Sequence, residues 1–281
     1  MCGRIVCNLD PSDIRKLCQF FNQKGNKRDP VVRNLKTDQK FQRSYNISPS
    51  QLTPILFCEK DEDLNFIDNK IIQPMRWGLI PSYNKESVDN FKLNTHNAKI
   101  ETIMERSLFR SSFNKGNRCI AIVEGFYEWN KEKKPYFYKS TKSDILYLAA
   151  IFDICKMNNG NIYSYSILTE ESQGRMASIH HRSPVILHDL EEIEFWLNSE
   201  NVSSLSAITL LKNRKWTDED LEIYPVSTFV NKSSNNDPKC IVKLEKSNSL
   251  LRKSTLLTSW LKQTDNEDKL LIKKIKKEEN L

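Results

Sequence analysis

The chain has 281 residues, 38% of them apolar and 28% charged, which suffices for one large domain or two small ones with a real core. Its 43 basic against 36 acidic residues leave a formal charge of +7, a bias toward polyanionic partners. Four of those charges, Lys273, Lys274, Lys276 and Lys277, belong to a polar C-terminal end and read as a solvated tail.

No apolar run reaches the roughly 18 residues of a membrane span, and the N-terminus lacks the basic-then-apolar order of a signal peptide, so an intracellular protein with no membrane contact is expected. Seven cysteines without CxxC spacing argue for reduced thiols, and the four histidines do not pair with them at zinc-ligand spacing. The seven glycines form neither GxGxxG nor a P-loop. No metal and no cofactor is expected.

In chain order, Met1-Cys2-Gly3-Arg4 comes first. Removal of Met1 leaves a 1,2-aminothiol at the N-terminus. Its α-amine is less basic than a lysine amine, about 7.7–8.0 against about 10.4, so it can attack an aldehyde near neutral pH. The adjacent thiol can then close a thiazolidine, which hydrolyses far more slowly than an imine. Taken alone, Cys2 is as readily an incidental residue after the start.

A strand-like segment to Asn8 precedes Asp10-Pro11, which reads as an N-cap with proline at the first helical position. Ile14, Leu17, Cys18 and Phe21 recur at helical spacing, with Gly25 as the stop. Residues Asn26 to Gln42 read as a polar surface loop, and strands are expected at Thr53 to Cys58 and Leu64 to Ile67. Pro74 to Pro81, with Trp77 beside Arg76, looks like backbone held in a fixed path near a site. Ile100, Ile103, Met104 and Leu108 read as a helix, so the polar run Asn94 to Lys99 would lie at its N-terminus, where free N–H groups favour an anion.

Cys119 to Val123 is a continuous apolar strand leading into Glu124-Gly125-Phe126-Tyr127-Glu128-Trp129. A carboxylate between aromatics on a strand is either desolvated and fit for proton transfer or simply on the exposed face. Strands follow at Pro135 to Tyr138, Leu146 to Phe152 and Ile162 to Leu168. His180 and His181, on a segment read as extended, would point to opposite faces, so one of them serves any given site. Asp189 caps a helix to Leu197, Ser203 to Leu211 forms another, and Pro225 to Asn231 reads as a closing strand. Beyond about residue 245 the chain reads as a tail in which Leu256, Leu257, Trp260 and Leu261 can form one amphipathic turn.

Taken together, Met1-Cys2-Gly3-Arg4, Ser44-Tyr45-Asn46 with Pro49, Pro74 to Leu79, Asn97-Ala98-Lys99, Gly125 to Trp129, His180-His181-Arg182 with Pro184, Val226-Ser227 and Val230-Asn231 resemble the SOS response-associated peptidase (SRAP) family of abasic-site processing proteins. The resemblance runs from residue 1 to about 240. It implies an α+β fold, mostly antiparallel strands in a barrel-like core with peripheral helices, as one catalytic and single-stranded DNA-binding domain over 1–240, followed by a flexible tail over 241–281.

It also implies a function: covalent capture of abasic sites in single-stranded DNA as a thiazolidine, protecting the lesion during replication. Cys2 would be the nucleophile, Glu128 the acid/base, His180 a hydrogen-bonding assistant to formation and reversal, and Asn97 the group that orients aldehyde or N-terminus. Arg4, Lys99 and Arg182 would hold phosphates, with Pro49 and Tyr83 as apolar and stacking surfaces. Lys99 replaces the family's usual arginine, which turns a bidentate fork into a single flexible charge. Tyr83 replaces a common tryptophan, and Ser183 a common methionine.

The implied activities are crosslinking with lyase-like character and self-processing peptidase chemistry. The partners implied are abasic single-stranded DNA and a replication-fork factor at the tail of a monomer, nuclear in a eukaryote and otherwise cytoplasmic. Two alternatives remain: a thiol peptidase with Cys2 as nucleophile and His180 as its base, and a noncovalent DNA-binding module in which Cys2 is idle.

Overall fold

The computed structural model describes residues 2–21, 25–33, 41–60, 66–88, 90–158, 160–214 and 217–245. One compact unit spans Met1–Lys243 and a second spans Leu244–Leu281. The amphipathic turn expected at Leu256 to Leu261 lies outside the described residues.

The elements run β1 (Ile5–Cys7), α1 (Pro11–Leu17), β2 (Phe20–Phe21), β3 (Lys27–Arg28), β4 (Val31–Val32), β5 (Ser44–Ile47), β6 (Leu52–Lys60), β7 (Phe66–Trp77), β8 (Asn97–Lys99), α2 (Ser107–Asn114), β9 (Arg118–Val123), β10 (Gly125–Trp129) and β11 (Pro135–Ser140). They continue as β12 (Leu146–Met157), β13 (Gly160–Glu171), α3 (Gly174–Ala177), β14 (Arg182–Pro184), β15 (Ile186–Leu187), α4 (Leu190–Leu197), α5 (Ser204–Asn213) and β16 (Leu221–Pro225).

Five strands close on themselves in the order β13-β12-β9-β6-β7. Four of the pairings are antiparallel, and the closing one, β7 with β13, is parallel with Tyr165 opposite Trp77. Closure removes the sheet edges. It also explains the unbroken apolar run of β9, every residue of which is buried. This is the α+β, barrel-cored architecture expected. Arg118 is the polar exception in that strand: its guanidinium donates to the carbonyls of Asn198, Val202 and Ser203 and lies 5.6 Å from the Trp196 ring centre, tying the α4–α5 connection to the barrel.

A second sheet, in the order β16-β11-β10-β1-β5, is antiparallel throughout. The chain passes from barrel to sheet at Glu124, between β9 and β10, whose carboxylate accepts from the Asn8 backbone N–H. Gly125 is required there, because a Cβ would sit 2.4 Å from both the Tyr138 carbonyl oxygen and the Phe137 ring.

Several local expectations fail for identifiable reasons. The first helix stops at Leu17 because Phe20 and Phe21 pair with Arg28 and Lys27. Asp10 stands at its N-cap with Pro11 in the first turn, as expected, while its carboxylate accepts from Arg43 at 2.7 Å rather than from the helix. The loop expected over 26–42 contains β3 and β4, and β4 runs parallel to β7. Residues 100–105 form turns, and the helix begins at Ser107, since Asn97–Lys99 is a strand paired with β13. Lys99 is therefore not at a helix N-terminus. The closing strand ends at Pro225, and Thr228–Asn231 is a 3-10 turn.

Candidate functional site

The N-terminal residues continue β1 toward the end of β10. Val6 pairs with Gly125 and Ile5 with Phe126, and Tyr127 N–H donates to the Arg4 carbonyl, so two further residues of register bring the Cys2–Gly3 region beside Glu128. Cys2 is fully buried. Burial pushes its thiol pKa far up, and the Glu128 charge acts in the same direction.

Asn97 reaches the same point from β8, its Nδ2 donating to the Cys2 carbonyl at 2.6 Å. The approach to Asn97 is held rigidly: the His96 carbonyl accepts from both Trp77 Nε1 at 2.9 Å and Ile167 N–H at 3.0 Å. The sequence suggested a fixed path around Trp77, and this is its mechanism. Gly78 follows with φ +122°, a conformation glycine adopts readily. The Asn97 Oδ1 is buried with no partner among the described residues, an acceptor available to a donor entering the site.

Glu128 is 3% exposed and lies on the face of β10 that carries Phe126, whose ring stacks on Tyr138 at 4.6 Å. Desolvation raises its carboxyl pKa to about 7. Such a group is part acid and part base at neutral pH, as proton transfer in both directions demands. His180 Nδ1 lies 3.7 Å from Glu128 Oε2. The same nitrogen is bracketed by the Arg182 N–H at 3.1 Å and the Arg182 carbonyl oxygen at 2.9 Å, which fixes the ring plane. Burial lowers the His180 pKa and favours the neutral imidazole.

The two histidines do not point to opposite faces. The segment turns after α3 rather than running extended, and the rings lie 4.5 Å apart.

Cys2, Asn97, Glu128 and His180 thus meet at one point. The five binding candidates are distributed differently. Arg182 is 7% exposed and forms a double hydrogen bond with Glu101, at 2.6 and 2.9 Å, while also donating to the Thr169 carbonyl. Arg4 is partly exposed and donates through Nη1 to Asn46 Oδ1 at 2.6 Å and to the Val230 carbonyl at 3.0 Å. Lys99 and Tyr83 are exposed, Tyr83 by 61%. Pro49 lines a cleft of about 550 Å³ together with Arg76, Phe91, Lys92 and His96. Arg76, Phe91, Lys92 and His96 were not singled out as binding residues from the sequence. Arg76 stood beside Trp77 as a signal, whereas the others follow no pattern that sets them apart from ordinary loop residues.

The SOS response associated peptidase (SRAP) family model matches residues 1–233. The chain belongs to this family. Among its relatives, the abasic site processing protein HMCES of Xenopus tropicalis is 34% identical over 93% of this chain and 85% of its own length. The abasic site processing protein YoqW of Bacillus subtilis is 32% identical over 76% of this chain and 94% of its own. A crystal structure of a protein from Bacteroides thetaiotaomicron superposes with a TM-score of 0.69 over 87% of this chain and all of that one, at 24% identity, and shows the shared SRAP fold.

Proposed function

We propose that this protein processes abasic sites in single-stranded DNA by condensing the amine and thiol of a mature N-terminal Cys2 with the ring-opened aldehyde. The observation that carries the reading is the convergence on Cys2 of an orienting amide, Asn97, and a buried carboxyl near neutrality, Glu128, with His180 beside it. The names of the relatives support the substrate.

The amine adds to the aldehyde carbon to give a carbinolamine. Glu128, protonated in part at pH 7, donates a proton to the departing hydroxyl, and water leaves as the iminium forms. The Cys2 sulfur then adds to the iminium carbon and its proton passes to Glu128 or His180. The product is a thiazolidine and one water, with no change of oxidation state. Asn97, through Nδ2 on the Cys2 carbonyl and an Oδ1 without a partner among the described residues, holds the N-terminal residue and accepts from the incoming substrate.

The state of the thiol favours this order over the peptidase reading. A thiol protease needs a thiolate, usually supplied by a cationic surrounding. Here burial and the Glu128 charge raise the thiol pKa and outweigh the amino-terminal charge, which lowers it, so the amine is taken as the first nucleophile and the thiol as the second.

The test is a comparison of wild-type protein with Cys2→Ser, each incubated with an oligonucleotide carrying one abasic site, with and without borohydride. Wild type is expected to give a product of the summed mass less one water, formed without reductant. Cys2→Ser, which keeps the amine, is expected to give a stable product only after reduction. A wild-type adduct that also requires borohydride would refute ring closure.

A further inference from the structure

The last part of the family signature, Val226-Ser227 and Val230-Asn231, takes no part in the chemistry above. In the fold it is a strap. Ser227 Oγ accepts from Phe229 N–H at 3.2 Å and opens the 3-10 turn Thr228–Asn231, and Asp237 opens a second turn, Pro238–Cys240, by accepting from Lys239 N–H at 2.8 Å. Between these turns the chain runs beside β5, where Asn236 Oδ1 accepts from the Tyr45 N–H at 2.8 Å and the Asn46 side chain makes several further contacts.

Asn46, 1% exposed, donates through Nδ2 toward three strap carbonyls: Asn235 at 2.7 Å, Lys232 at 3.0 Å and Val230 at 3.2 Å. Its Oδ1 accepts from Arg4 Nη1, which also donates to the Val230 carbonyl. The strap returns the contact on the far side, where Asn231 Oδ1 accepts from Trp129 Nε1 at 2.7 Å, and the Arg4 guanidinium lies 5.8 Å from the Trp129 ring centre.

Both Nη1 protons of Arg4 are therefore spent on Asn46 and the strap. Its Nε is buried with no partner among the described residues, so this is not the orientation that maximises the side chain's own hydrogen bonding. Nη2 makes no hydrogen bond among the described residues, and the side chain remains partly exposed two positions after Cys2.

We propose that Asn46 is a positioning residue for strand binding: by joining the strap to β5 and clamping Nη1, it presents the Nη2 edge of Arg4 to a backbone phosphate next to the captured nucleotide. This rests on the single-stranded DNA reading above. The arrangement makes sense of an arginine that has five donors and needs only part of them outside. A guanidinium clamped in advance loses less side-chain freedom on meeting a phosphate than one that is free to rotate.

The experiment is noncovalent binding of the full chain to an intact single-stranded oligonucleotide over a series of salt concentrations, for wild type, Arg4→Gln, Asn46→Ala and the double variant, with folding checked by circular dichroism. Each phosphate contact on a single strand contributes about 0.7 to the slope of log K against log salt. Arg4→Gln is expected to lower the slope by about 0.7, Asn46→Ala by a similar amount, and the double variant by no more than either. Asn46→Asp keeps the side-chain shape should Asn46→Ala fail to fold; it sets oxygens against the strap carbonyls and a carboxylate against Arg4, and is also expected to lower the slope.

A wild-type slope in a folded Asn46 variant, or an unchanged slope in Arg4→Gln, would overturn the proposal. Because the strand is intact, this result is independent of whether Cys2 captures an aldehyde.

Discussion

Strand β9 in the barrel buries every side chain from Arg118 to Val123, whereas β1 in the five-stranded sheet is three residues long and the segment preceding it is fixed by single polar contacts. Asn97 holds the Cys2 carbonyl, Tyr127 N–H holds the Arg4 carbonyl, and Asn46 holds the Arg4 guanidinium. Burial is cumulative and tolerant, so the barrel survives small changes at any one place. A chain end placed by a few hydrogen bonds and by the burial of one small side chain, Cys2, has less such reserve. The proposed chemistry sits where the structure has less redundancy, and substitutions in the two regions should fail in different ways.

The sharpest contrast comes from Glu128→Gln, which preserves shape and removes the proton donor. Formation of a denaturation-resistant complex is expected to slow by about 100-fold or more in single-turnover time courses, and the limb of the pH–rate profile near 7 should disappear. Its stability effect should have an unusual sign. The folded carboxyl pKa of about 7 lies above its ordinary 4.5 because burial opposes ionisation. The stability linked to it is therefore fully present below pH 4.5 and lost as pH rises through 7, by up to about 3 kcal/mol. Urea titrations of Glu128→Gln should be flatter over that window. Glu170, raised to about 7 by burial in the same way, leaves a residual slope.

Ile120→Ala should do the opposite. Ile120 is fully buried in β9, and its truncation is expected to cost about 3–4 kcal/mol in urea unfolding, with the crosslinking rate per folded molecule unchanged. A large rate loss in this variant would break the separation of the two regions. Trp77→Phe falls between them. It keeps most of the buried ring and removes the Nε1 bond to the His96 carbonyl, so about 1–2 kcal/mol of stability should be lost, with a measurable slowing of capture as the run into Asn97 loosens.

The smallest contrast concerns two aspartates that look alike in sequence. Asp189→Ala removes a real cap, the 2.8 Å bond from Glu192 N–H, and should cost about 1 kcal/mol. Asp10→Ala removes only an exposed ion pair with Arg43 and should cost a few tenths. Thermal melts of the two variants separate these outcomes.

These pairs also show what was legible before the fold was known. The apolar run of β9 and the cap at Asp189 are local patterns, and local patterns place elements well. The errors lie where a distant partner overrides local spacing. Phe21 continues the helical period of Ile14 and Leu17, yet Phe20 and Phe21 pair with β3. Ile100 and Ile103 are buried at helical spacing, yet they follow a strand paired with β13 and lie in turns.

The site was legible only as a set of short motifs. Nothing in the residue pattern states that Asn97 reaches Cys2 or that His180 stands beside Glu128, because the four residues come from widely separated parts of the chain. Asn46 shows the limit most clearly. It lies within the Ser44-Tyr45-Asn46 match with no role attached, and a single amide serving three carbonyls and an arginine has no signature in one dimension.

The most direct test is denaturing gel electrophoresis of the mature protein, with loss of Met1 verified by mass spectrometry, mixed with a single-stranded oligonucleotide bearing one abasic site. Cys2→Ala protein and an intact oligonucleotide serve as controls. A heat-resistant shifted band that requires both Cys2 and the abasic site is the predicted result. The absence of a shifted band from mature wild-type protein, or an equal band with Cys2→Ala, would contradict covalent capture by the N-terminal cysteine.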